Sequence, residues 1–238
     1  MKLTKDLKIK LFADGANIED ILDLDKNPFI KGFTTNPTLM KKAGINDYEK
    51  FSKDLLEKIT NKPISLEVFA DDFSEMKKQA FKINSWGENI YVKIPIMNTL
   101  GQSSINLVRE LSNEGICLNI TAIMTTKQVS EIIDVLNDDV ASIISVFAGR
   151  VADTGVDPVP HMIKCKEILK NKKKAELLWA SPRELLNVFQ ADSIDCDIIT
   201  ATSDILKKLE LVGKDLLEFS NETVKMFRND ALKAGFKI

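Results

Sequence analysis

The chain has 238 residues, 44% hydrophobic and 29% charged, a globular balance that excludes a disordered or collagen-like protein. Its 33 Lys and Arg against 35 Asp and Glu leave a net charge of -2, so no basic excess is available to grip nucleic acid non-specifically. The length suits a single α/β barrel of roughly 250 residues at least as well as two small domains.

The opening MKLTKDLKIK carries charges every few residues around no apolar centre, so it does not read as a secretory signal. No stretch approaches the roughly 18 apolar residues that a membrane-spanning helix needs. Cys117, Cys165 and Cys196 are odd in number, far apart and without a CxxC pair, and His161 is the one histidine. That set does not supply a typical Cys/His zinc site. A soluble, cytoplasmic protein of a reducing compartment is expected, with no metal, no membrane and no nucleic-acid partner.

Eight short apolar runs follow in order: KIKLFADGA from Lys8, FIKGFTTN from Phe29, PISLEVFA from Pro63 and NIYVKIPI from Asn89, then ICLNITAI from Ile116, VASIISVFA from Val140, AELLWAS from Ala175 and CDIITAT from Cys196. Each has strand length, and most are rich in Ile, Val and Phe. Between them lie segments of helical period such as FSEMKKQAFKI and INLVRELSNEG, the second stopping at Gly115. Strands alternating with helices imply parallel pairing through right-handed crossovers. Eight such units predict a (β/α)8 TIM barrel, with a doubly wound open sheet as the alternative. No Pro/Gly/Ser linker divides residues 1–238, so one domain is expected. A last amphipathic stretch, roughly Lys214 to Lys233, predicts a C-terminal helix that packs on a neighbouring subunit of a homo-oligomer.

Buried parallel strands normally read as unbroken apolar runs. Here polar residues interrupt them near the C-terminal ends, at Asp14, Asn36, Glu67, Lys93, Asn119, Thr121 and Ser145, where barrel enzymes build their active sites. The steps from Glu67 to Lys93, Asn119 and Ser145 are each 26 residues, which predicts similar heights on consecutive strands. Residues two apart share a face, so Asn119 with Thr121, and Ser145 with Phe147, point the same way.

Lys93 is the sharpest of these features. Its neighbours Val92 and Ile94 face the helices, which aims Lys93 into the barrel. An amine desolvated there has its pKa lowered and becomes a nucleophile able to form a Schiff base with a ketone. The plainer reading is an edge-strand lysine whose head snorkels to water. Asp14 and Glu67 are candidate general acid and base groups, or else a turn residue before Gly15 and a strand-end charge. Asn36-Pro37 also reads as a helix N-cap followed by proline at the first helical position. Only Arg109, Arg150, Arg183 and Arg228 among the 33 basic residues are arginine. Arg150 and Arg183 follow the sixth and seventh strands, where barrels often bind phosphate through bidentate contacts; surface salt bridges are the alternative. Phosphate-loop, dinucleotide and serine-elbow motifs are all absent. Asp71-Asp72 and Lys172 to Lys174 read as solvated faces, and Trp86 and Trp179 as packing residues.

Taken together these segments resemble the transaldolase family, including its short fructose-6-phosphate-aldolase-like branch. LFADGAN is similar to the family's first strand with its catalytic aspartate, which would be Asp14. GFTTNPTL resembles the TTNP segment with its substrate-binding asparagine, Asn36, and YVKIPI the fourth strand with the Schiff-base lysine, Lys93. LNIT resembles the fifth strand, matching Asn119 and Thr121; ISVFAGRV resembles the sixth, matching Ser145, Phe147 and Arg150. WASPREL is similar to the ASFR segment, giving Ser181 and Arg183 as phosphate ligands. Pro182 departs from the aromatic residue common there.

The resemblance implies a cofactor-free transfer of a dihydroxyacetone unit from a ketose phosphate to an aldose phosphate, through an imine on Lys93, in the pentose phosphate pathway. Sedoheptulose 7-phosphate and fructose 6-phosphate are the implied donors, with Glu67 and Thr121 holding a proton-shuttling water. Glu67 and Phe147 match transaldolases, where the aldolase branch has glutamine and tyrosine. The alternatives are a free aldolase using the same lysine, the same transfer from another ketose, and a non-catalytic sugar-phosphate-binding protein.

Overall fold

A computed structural model describes residues 3–238; Met1 and Lys2, the first residues of the charged N-terminal segment, lie outside it. Eight parallel strands close in chain order: β1 Lys10–Asp14, β2 Ile30–Thr34, β3 Ile64–Glu67, β4 Ile90–Pro95, β5 Leu118–Ile123, β6 Ser142–Val146, β7 Ala175–Trp179 and β8 Ile198–Thr202. The last pairs with the first, from Lys10 against Ile198 to Asp14 against Thr202, so the sheet is a closed TIM barrel and the open-sheet alternative falls. The surrounding helices are α1 Ile18–Asp25, α2 Pro37–Lys42, α3 Tyr48–Lys58, α4 Phe73–Asn84, α5 Ile105–Asn113, α6 Thr126–Ile133, α7 Ala148–Asp153, α8 Pro158–Leu169, α9 Leu186–Ser193, α10 Ser203–Lys207 and α11 Leu216–Lys233. Gly115, at φ +79, stops the chain just beyond α5 in the left-handed conformation that glycine adopts without strain. Asp72 caps α4 through Ser74 and Glu75 N–H, and Asp71 accepts from both groups of Thr99, so this acidic pair is structural rather than merely solvated.

Side-chain parity divides the interior in two. Even-numbered Val92 and Ile94 of β4, and Leu118 and Ile120 of β5, join the large core between sheet and helices. Inside the barrel a smaller cluster forms from Phe12, Ile143, Leu178, Ala180 and Ile198, with Tyr91 and Phe147 packed against it. Gly32 makes room for this filling: a Cβ there would lie 2.5 Å from the Phe12 ring. Apolar residues thus fill the barrel's middle, and each strand's next inward position up, including Asp14, Lys93, Ser145 and Thr200, meets the C-terminal mouth.

Register carries two of the three 26-residue steps as expected, pairing Glu67 with Lys93 and Lys93 with Asn119. The third differs, because Asn119 pairs with Ile143 and places Ser145 one inward position higher. Beyond Ile120 the β5–β6 ladder shifts at Ala122, which sits at φ +61. This bulge re-aims the end of β5, a common device beside active sites.

Helix α11 begins at its cap Asp215 and buries none of its residues. Leu216, Leu217, Val224, Phe227 and Leu232 stand exposed along it. Among the described residues no helix is long and apolar enough to cross a membrane.

Candidate active site

A cavity of about 400 Å³ opens at the C-terminal ends of the strands. Its lining brings together Asp14, Asn36, Glu67, Lys93, Asn119 and Thr121 with Ser145, Phe147, Arg150 and Ser181. Arg183 stands just outside, bonded to Ser181.

Lys93 is only 6% exposed, on a strand with neighbours on both sides, so it is not an edge lysine reaching for water. Its Nζ donates to the Thr35 carbonyl at 2.8 Å and lies 3.0 Å from Glu67 Oε2. The amine is therefore aimed by one fixed acceptor and faces a carboxylate able to exchange a proton with it. Tyr48 steadies that carboxylate's strand by donating its hydroxyl to the Glu67 carbonyl at 2.9 Å.

Asp14 ends β1 as a strand residue, not a turn residue: the Gly15 N–H continues the ladder to the Thr34 carbonyl. Burial raises its carboxyl above the ordinary value; Lys93 and the Thr34 hydrogen bond oppose that shift and Glu67 reinforces it. Thr34 Oγ1 donates to Asp14 Oδ1 at 2.8 Å and lies 2.5 Å from Thr200 Oγ1. A hydroxyl has one proton to give, so Thr200 donates to Thr34 and a two-step relay supports Asp14.

On the opposite wall Asn119 Nδ2 donates to Ser65 Oγ at 3.0 Å, and Ser145 Oγ donates to Asn119 Oδ1 at 2.6 Å. These buried groups fix one another's direction. Asn36 caps α2 by accepting from Leu39 N–H at 3.0 Å, with Pro37 at the first helical position. The cap reading of Asn36-Pro37 is therefore correct, and the same residue also lines the cavity.

The loops after β6 and β7 form the remaining wall. Arg150 Cζ lies 5.9 Å from the Phe147 ring centroid, a cation–π contact that ties guanidinium and ring together. Ser181 is held at φ +60, a strained conformation for a residue with a Cβ. Arg183 Nη1 bonds the Ser181 carbonyl and hydroxyl, while Nε and Nη2 engage Asp153.

Thr34, Ser65 and Thr200 were not singled out from sequence. Parity could have found two of them, since Thr34 lies two residues beyond Gly32 and Thr200 two beyond the inward Ile198. Asp153 gives no such signal, because its role depends on a residue 30 positions away. Among the described residues no group of three or more His, Cys, Asp and Glu comes together as a metal site.

A closed parallel barrel with a buried lysine and two carboxylates lining its C-terminal mouth has the layout of the (β/α)8 barrel enzymes. The chain matches the transaldolase/fructose-6-phosphate aldolase family over residues 11–238. It is 34% identical over 202 residues to a probable transaldolase of Methanococcus maripaludis, covering 84% of this chain and 89% of that protein. A probable transaldolase of Thermoanaerobacter is 32% identical over 231 residues, 97% of this chain and 100% of its own length. Among solved structures, a HpcH/Hpal aldolase/citrate lyase family protein from Burkholderia cenocepacia superimposes with a TM-score of 0.58 at 10% identity, covering 92% of this chain and 95% of that one. At that identity the likeness concerns the fold alone. The chain belongs to the transaldolase/fructose-6-phosphate aldolase family and is an enzyme that transfers aldehyde or ketone groups.

Proposed function

We propose that the protein is a cofactor-free transaldolase that moves a dihydroxyacetone unit from a ketose phosphate to an aldose phosphate through an imine on Lys93. The observation that carries this reading is a buried amine 3.0 Å from Glu67, in one cavity with Asp14. Lys93 attacks C2 of the ketose, fructose 6-phosphate or sedoheptulose 7-phosphate, and the carbinolamine loses water to give a protonated imine. Glu67 and Thr121 hold the water that carries protons in this exchange. Asp14 takes the C4 hydroxyl proton as the C3–C4 bond breaks, the imine accepts the electron pair, and an enamine remains on Lys93. Asn36, Asn119 and Ser145 hold that fragment until its enamine carbon adds to the aldehyde of an aldose phosphate and Asp14 returns the proton; water then hydrolyses the new imine, releasing the product ketose and the free Lys93 amine. Arg150, Ser181 and Arg183 hold the phosphate through charge-assisted hydrogen bonds. The pathway this serves is the interconversion of pentose phosphates, in the cytoplasm.

Transfer rather than simple cleavage rests on Phe147, whose ring packs against the barrel's inner cluster and lines the cavity. An apolar ring there keeps water from the enamine. Phe147→Tyr adds one hydroxyl at nearly constant volume, able to orient water or protonate the enamine carbon. The ratio of free dihydroxyacetone released to units transferred is expected to rise, by less than the roughly 10²–10⁴ of a well-placed general acid. A wild type that releases the fragment as fast as it transfers it would mark the protein as an aldolase. No borohydride-stable adduct with any ketose in a donor panel would mark it as a binding protein.

The exposed apolar residues of α11 form a surface of the kind that marks association. A homo-oligomer built through this helix is accordingly part of the proposal. Leu217→Asp with Phe227→Asp is expected to lower the mass seen by sedimentation; an unchanged mass, or a monomeric wild type, removes this element.

A further inference from the structure

Asp153 is the last residue of α7 and does not line the cavity. Both its carboxylate oxygens are taken by Arg183: Nε donates to Oδ1 at 2.8 Å and Nη2 to Oδ2. Arg183 Nη1 donates to Ser181 Oγ at 2.9 Å and to the Ser181 carbonyl at 3.0 Å. A guanidinium presents five N–H donors in one rigid plane. Gripping the Nε–Nη2 edge therefore fixes the plane and turns the Nη1 corner toward Ser181, the residue of this pair that lines the cavity.

The packing is correspondingly close. A Cβ at Gly149 would lie 1.6 Å from the Ser181 carbonyl oxygen and 3.5 Å from Arg183 Cζ. The first turn of α7, the strained Ser181 and the guanidinium are thus pressed together, with Asp153 closing the arrangement from the other end of the same helix. Without that carboxylate, only the Nη1 bonds to Ser181 restrain Arg183, a long, half-exposed side chain with many rotamers to spread over. Arg183 also keeps Asp153 ionised, holding its carboxyl below the usual range through the side-chain hydrogen bond.

We propose that Asp153 is the positioning residue of the phosphate subsite: by holding one edge of Arg183 it presents the remaining Nη2 N–H, with the Ser181 hydroxyl that Nη1 orients, to the donor's phosphate. The inference rests on the proposal that Arg183 and Ser181 hold that phosphate. It makes Asp153 a determinant of selectivity between phosphorylated and free ketoses, acting through Arg183 and not through the reacting carbons.

The test compares wild type, Asp153→Ala, Asp153→Asn, Arg183→Ala and the double alanine variant. Each is assayed with fructose 6-phosphate and with fructose as donor, and with inorganic phosphate as inhibitor. Asp153→Ala is expected to raise KM for fructose 6-phosphate by on the order of tenfold, as for neighbouring charged groups that couple. Phosphate inhibition should weaken in parallel, with kcat and the KM for fructose unchanged. Asp153→Asn, which keeps one acceptor oxygen, should fall between. In the Arg183→Ala background, Asp153→Ala should add nothing. Equal losses on both donors, a lowered KM, or an undiminished effect in that background would overturn the inference. If Arg183→Ala raises KM for fructose 6-phosphate and Asp153→Ala does not, this inference alone fails. If Arg183→Ala changes neither that KM nor phosphate inhibition, the phosphate site itself is wrong and the role of Asp153 falls with it. Asp153 is half-exposed on a helix end, so each variant is expected to fold, and its circular dichroism spectrum should match that of wild type.

Discussion

Lys93→Ala is expected to lower turnover by roughly 10⁴-fold or more and to remove all borohydride-dependent mass gain from the protein. The size follows from what the amine supplies in the proposed mechanism. Breaking the C3–C4 bond leaves an electron pair that a neutral ketone accepts poorly and a protonated imine accepts well. Among the described residues no other amine lines the cavity to replace it, since the one further cation there is the Arg150 guanidinium, which stays protonated. With fructose 6-phosphate and borohydride, the wild type should gain one reduced adduct, and peptide mapping should place it on Lys93. A label on another lysine, or activity retained in the variant, would remove the mechanism. Lys93→Met, which keeps the length of the side chain, separates loss of the amine from loss of packing, and it should be equally inactive.

Much of this site was legible because a closed barrel converts sequence parity into direction. Lys93 between Val92 and Ile94 can face only inward once β4 has neighbours on both sides. The equal steps from Glu67 to Asn119 became true register pairs for the same reason. The step to Ser145 did not, because the strand offset between β5 and β6 is set by how their backbones pair and not by spacing along the chain. Local patterns explained other residues differently: Asp72 in its acidic pair is a helix cap, and Asn36 is both a cap and a wall of the cavity. The contacts that orient the functional groups were harder to read. Thr200 supports Asp14 through Thr34, and Asp153 holds Arg183, across 166 and 30 residues of sequence. Such contacts exist only after the ring of strands has closed.

Asp14→Asn is expected to separate catalysis from both capture and stability. In the proposed mechanism Asp14 takes the C4 hydroxyl proton, so kcat should fall by about 10²–10⁴. The proposal assigns imine formation to Lys93, Glu67 and Thr121, and borohydride labelling of the variant should therefore persist. Stability should move the other way. In the unfolded chain the carboxyl titrates near its ordinary 3.8, whereas burial raises it in the folded protein. As pH rises between those two values the unfolded state holds fewer protons than the native one, so stability falls across that window and stays lower above it. A neutral amide avoids this loss. The variant should melt above wild type at pH 7, and its advantage should shrink as the pH falls toward the carboxylate range. The raised carboxyl that makes Asp14 a stronger base is thus the same feature that destabilises the folded barrel at neutral pH. Loss of labelling in a folded variant would show that Asp14 acts before bond cleavage. A lower melting temperature at pH 7 would show that the Thr34 and Lys93 contacts outweigh the burial of its charge.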